Sequence, residues 1–172
     1  MRGLSAKRIT ALLLAIAATA GCNISQLQFK NDHRLSFQSP HSREKVKAPF
    51  TIRWSMKDFE ATGLDGSREK NKGAFAVFID RAPMPVGKDI KWLAKNDTSC
   101  KRDPRCPDAE YLASKGVFIT KDTSVNIDVL PAVGDGVGDE QHDVIIVLLD
   151  GTGHRIGESG WHRGFTSKRR SV

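Results

Sequence analysis

Cys100 and Cys106 stand six positions apart in the polar, proline-bearing run Thr98-Ser99-Cys100-Lys101-Arg102-Asp103-Pro104-Arg105-Cys106-Pro107. Two thiols at that spacing, in a stretch able to turn back on itself, suit a small disulfide loop in an oxidising compartment. Zinc would need a second Cys or His pair at ligand spacing, and the sequence supplies none. Asp135, Asp139, Glu140 and Asp143 are hard oxygen donors in or beside the glycine-rich run Gly134 to Glu140. Their spacing departs from the helix-loop-helix calcium pattern, so a solvated loop is expected there. His142, His154 and His162 lack an accompanying carboxylate or cysteine spacing and read as surface histidines. Val86-Gly87-Lys88 shares only its last two residues with a phosphate loop. Ser36, Ser39 and Ser159 sit outside any nucleophile-elbow context. The sequence therefore predicts no catalytic residues, no metal and no cofactor.

The third cysteine has a different setting. Arg2, Lys7 and Arg8 form a positive front, Ile9 to Ala18 an apolar run, and Thr19-Ala20-Gly21-Cys22 ends it in small residues. That order is the layout of an export signal. A transmembrane helix needs about 20 apolar residues, and this run is too short to span. The segment resembles the lipobox of bacterial lipoproteins, with Thr19 where leucine is commoner. The resemblance implies cleavage before Cys22 and a diacylglycerol thioether on it, with palmitate-type chains holding the protein on the extracytoplasmic face of the cell membrane. Several acyl chains hold firmly, because each buried methylene contributes about 0.8 kcal/mol.

The chain has 172 residues, and cleavage before Cys22 leaves 151, enough for one domain with its own core. The formal charge of +7 is concentrated at the ends. Without Arg2, Lys7, Arg8 and the terminal Lys168, Arg169 and Arg170, 21 basic residues face 20 acidic ones. A body so close to neutral gives no electrostatic case for nucleic acid. The expected organisation is a signal peptide over 1–21, a flexible tether over 22–34, one domain over 35–165 and a basic disordered tail over 166–172.

Period-two alternation marks strands at Leu35 to Phe37, Phe50 to Ser55, Ala74 to Asp80 and Ser124 to Val129, each expected to have one solvated face. Val144 to Leu149 is apolar on both faces and predicts a central strand covered on both sides or lying at an interface. Asp150-Gly151-Thr152-Gly153 supplies a hairpin turn with His154 to Gly157 returning. Ser39-Pro40 and Ala48-Pro49 mark strand boundaries. Pro107 to Lys115 predicts a short helix, because Asp108 and Glu110 favour its positive end and Gly116 can terminate it.

The runs Leu35 to Pro40, Pro49 to Trp54, Ala76 to Asp80 and Val147 to Gly153 together resemble immunoglobulin-like or fibronectin type III-like domains of bacterial envelope proteins. The resemblance implies an all-β, antiparallel β-sandwich, here with one inserted disulfide-bearing loop and a short helix. It lacks the inter-sheet cysteine pair, which leaves Trp54 to pack on aliphatic side chains. The insertion from Arg81 to Thr120 carries Met84, Trp92 and Tyr111, a candidate binding surface on a rigid scaffold. The expected role is a non-catalytic binding or assembly module whose partner is an envelope protein or wall component. The alternative is a lipoprotein that recognises a small molecule, wall glycan or metal through the 81–120 insertion.

Overall fold

The computed structural model describes residues 32–131, 133 and 138–168. The signal segment, Cys22, most of the expected tether, Asp135 and residues 169–172 lie outside the described residues. Strands β1 (Leu35–Ser39), β3 (Phe50–Met56) and β7 (Ser124–Ile127) form a three-stranded antiparallel sheet with β3 central. The larger sheet runs β2 (Lys45–Val46), β9 (Arg155–Lys168), β8 (Asp139–Leu149), β5 (Lys72–Ile79) and β4 (Glu60–Ala61), with β6 (Val117–Thr120) on the same side of β5 as β4. It curls into a half-barrel. β2 and β4 are parallel to their neighbours and the other pairings are antiparallel. Among the described residues no helix is long and apolar enough to cross a membrane.

Alternation puts Leu35, Ile52, Trp54 and Ile127 of the small sheet against Phe75, Val77, Val144, Ile146, Trp161 and Phe165 of the large one. The Trp54 ring meets Phe75 edge-to-face at 5.3 Å, an aromatic contact added to the aliphatic side chains of the same core cluster. Edge-to-face packing sets the positive rim of one ring on the negative face of the other. The Ser39-Pro40 and Ala48-Pro49 bonds, both cis, fall where β1 ends and β3 begins. In the β8–β9 hairpin, Gly153 takes φ +84° and donates to the Asp150 carbonyl at 3.0 Å.

β8 is covered on both sides, as its apolar run predicts: Val144, Ile146 and Leu148 enter the inter-sheet core, while Val147 and Leu149 enter a second cluster. β5 differs from expectation. Ala74, Ala76 and Phe78 on its other face are fully buried too, because Met84, Leu93 and Leu112 of the insertion join them in one cluster, with Val117 of the neighbouring β6 alongside. Residues 81–116 are thus a third layer on the outer face of the large sheet, with the small alanines leaving room for it, before the chain joins the sheet as β6.

Both ends of the expected domain shift. Thr166–Lys168 continue β9, with Ser167 opposite both Glu140 and Val46, so the basic tail starts later than 166. Asp32–Arg34 belong to the fold rather than to a tether. The Trp161 indole N–H donates to the Asp32 carbonyl at 2.7 Å, and the Ser159 hydroxyl donates to its carboxylate at 2.8 Å. Arg34 donates to the same carboxylate at 2.7 Å and chiefly holds its pKa down at about 2.

Candidate functional site

Three aspartates shape the insertion by accepting from backbone N–H groups that a helix start leaves unpaired. Asp89 accepts from Trp92 at 3.3 Å and opens the 3-10 helix Ile90–Ala94. Asp97 accepts from Ser99 and Cys100 at 3.0 and 3.1 Å and opens α1 (Thr98–Arg102). Asp108 accepts from Tyr111 at 2.8 Å and opens α2 (Ala109–Ser114). The expected helix is therefore present, and the expected disulfide joins Cys100 in α1 to Cys106 with Cα atoms 5.1 Å apart. By loop entropy so short a loop contributes only about 2 kcal/mol. The Cys100→Ser/Cys106→Ser protein should lose that amount in urea unfolding and keep its far-ultraviolet spectrum.

Arg155 ties this layer to the β8–β9 hairpin. Its guanidinium is buried and donates to the carbonyls of Met84 at 2.6 Å and Glu158 at 3.1 Å. Its backbone pairs with Gly87 and Lys88. Burial pushes the guanidinium pKa below its ordinary value, and the carbonyl oxygens offset that loss of water.

Between the 3-10 helix and α2 lies a cleft of about 610 Å³, lined by Arg81, Trp92, Lys95, Asp97, Tyr111 and Lys115 among others. The Lys95 ammonium sits 3.8 Å over the Trp92 ring, and that of Lys115 lies 5.6 Å from the Tyr111 ring. The Tyr111 hydroxyl donates to Asp97 at 3.2 Å, so one carboxylate caps α1 and orients the tyrosine. Hydrogen bonding, first from the Cys100 amide, holds the Asp97 carboxyl below its ordinary pKa. Burial, then the Asp97 contact, raises the phenol. Trp92 and Tyr111, the expected surface aromatics, are brought together here and are half-buried. Met84 is not part of that surface: it is 0% exposed and serves the second core.

A second polar constellation joins residues far apart in sequence. The Asp80 carboxylate accepts from His142 Nδ1 at 2.7 Å, which leaves Nε2 to accept from the Ser167 hydroxyl at 2.9 Å. The order is that of acid, base and nucleophile. Its setting is structural. Ser167 and His142 are buried, the imidazole stacks on Phe165 at 5.4 Å, and Ser167 is flanked by β8 on one side and β2 on the other. A substrate carbonyl has no approach to a hydroxyl enclosed in this way. The chain of bonds ties the end of β5 to β8 and β9.

His142 is therefore a core residue, not the surface histidine expected. His162 bonds Asp143 at 2.7 Å and His154 bonds Thr152 at 2.9 Å, so the three histidines do not converge. Asp139 pairs with Lys45 at 2.7 Å. Among the described residues no group of three or more His, Cys, Asp or Glu side chains is placed to hold a metal. Sequence reading missed Arg81, Lys95, Asp97 and Lys115 as partners of the two aromatics. The available signal was the aspartate ahead of each short helical turn, which fixes where the turns begin. Compared with known proteins, the chain matches no family model, no curated protein and no solved structure.

Proposed function

We propose that this chain is a lipid-anchored, non-catalytic ligand-binding module of the bacterial cell envelope, with the Trp92–Tyr111 cleft as its contact site. The carrying observation is that cleft: a concavity of about 610 Å³ falls within the range of small-molecule sites, roughly 300 to 1,000 Å³. An assembly module docking on a flat apolar edge near Trp161 is less favoured, since Trp161 is buried. The anchoring part rests on the lipobox-like run ending at Cys22, and a disulfide in the folded domain accords with an exported protein.

An immunoglobulin-like reading of the fold is supported by connectivity. The chain passes from β1 in one sheet to β2 in the other, where β2 runs parallel to the last strand, β9. Central β3 and β8 both contribute to the inter-sheet core, and the crossings between sheets accord with a Greek-key sandwich reading. The half-barrel curl and the third layer are additions to that plan.

Two variants test the function. Cys22→Ala should remove incorporation of labelled fatty acid and release the protein from the membrane fraction; unchanged labelling refutes the anchor. Trp92→Ala/Tyr111→Ala should remain folded, because neither ring is fully buried, and should lose the envelope component captured by the wild type. Undiminished capture by the folded double variant places the contact elsewhere.

A further inference from the structure

Resting on the binding-module reading, we infer that the cleft recognises a phosphate group carried by its ligand. The insertion over residues 81–120 holds eight basic and five acidic residues. Four of those five acids are turned onto backbone N–H groups: Asp89, Asp97 and Asp108 as helix caps, and Asp103 on Arg105 at 2.9 Å. Lys95 and Lys115 are exposed and stand over aromatic rings, with Lys115 also close enough to help hold the Asp97 carboxyl below its ordinary pKa. A ring face attracts an ammonium while leaving its N–H donors free to turn outward.

Arg81, which also lines the cleft, completes the set and donates to the Lys115 carbonyl at 3.4 Å. Three cations against Asp97 leave a net charge of +2 in one concavity. That balance matches a phosphate monoester, which carries about −1.5 to −2 near neutral pH. A single carboxylate would leave one cation uncompensated. The guanidinium supplies a planar fork for two phosphate oxygens and the lysines supply point charges, the division of labour common at phosphate sites. The near-neutral balance of the whole domain conceals this local excess, because Asp89, Asp103 and Asp108 are held at turns outside the cleft lining.

The test uses the full chain in phosphatidylcholine nanodiscs and follows the Trp92 indole N–H by NMR, assigned by its loss in Trp92→Phe. Inorganic phosphate should shift that resonance saturably, and acetate at equal ionic strength should not. Lys95→Gln/Lys115→Gln should weaken the phosphate response at least tenfold, whereas Lys101→Gln/Arg102→Gln, exposed on α1, should leave it within twofold. A saturable response to nanodiscs doped with phosphatidic acid assigns the phosphate to a lipid headgroup; a response to soluble phosphate alone assigns it to a non-lipid ligand. No saturable shift with either phosphate source, an equal response to acetate, or an equal loss in the α1 variant overturns the inference. If phosphate fails while Trp92→Ala/Tyr111→Ala still abolishes envelope capture, the binding module stands and only the ligand class falls.

Discussion

Gly73→Ala is expected to destabilise the domain severely. Gly73 has φ +141°, and a Cβ built there would lie 2.1 Å from the Leu149 carbonyl oxygen and under 3 Å from two Asp150 backbone atoms. Those atoms belong to the end of β8, and Gly73 is paired with Ala61 of β4 while its carbonyl accepts from Gly63. No flexible side chain can yield, so the backbone of two strands must separate. The loss should be about 4 kcal/mol or more, the range reserved for severe steric mechanisms. Gly66→Ala is the control: φ is +83° but no atom lies within 4 Å of the new Cβ. Left-handed backbone alone should cost about 1 to 2 kcal/mol. Urea unfolding of the two proteins separates the clash from the dihedral, and similar losses would contradict it.

Phe78→Ala should remove about 3 to 5 kcal/mol, as truncation of a buried aromatic does. Phe78 is 0% exposed and shares its cluster with Met84, Leu93, Leu112 and Val117 of the insertion. The informative comparison is with Trp54→Ala in the inter-sheet core. If the third layer is integral, both variants should unfold in one transition followed equally by tryptophan fluorescence and far-ultraviolet circular dichroism. A Phe78→Ala protein that retained the wild-type midpoint for its sheets would show the insertion to be an appendage.

The strands with one dominant periodicity were legible in the sequence because the pleat alternates with period two. Phe50, Ile52 and Trp54 announce β3, and the unbroken run Val144 to Leu149 announces a strand with two buried faces. β5 was misread for a reason visible in its composition. Ala74 and Ala76 are small enough to pass for a solvated face, yet small residues also permit close packing by a covering layer. Only Phe78 hinted at the second choice. The polar tie of Asp80, His142 and Ser167 draws on three segments between 25 and 87 positions apart, and local spacing carries no information at that range. Ser167 was hidden further by the charged residues that follow it, which read as a tail. In the cleft, Trp92 and Tyr111 stood out by residue type. Lys95 and Lys115 did not, since exposed lysines are ordinary until a ring is found beneath them.

The long strand β9 bears on how copies of this protein can meet. An uncovered strand edge is a template on which another chain can continue a sheet. Near the start of β9, Arg155 gives both its N–H and its carbonyl to the 87–88 segment; near its end, Gly164 and Thr166 bond the 43–44 segment beside β2. Between these points Gly157 takes φ +68°, breaking the extended backbone that a docking strand would need. The same contacts that fasten the third layer and the first crossing therefore guard against runaway sheet growth. The proposed lipid anchor would crowd copies on a membrane plane, and there an edge closed in this way would matter most.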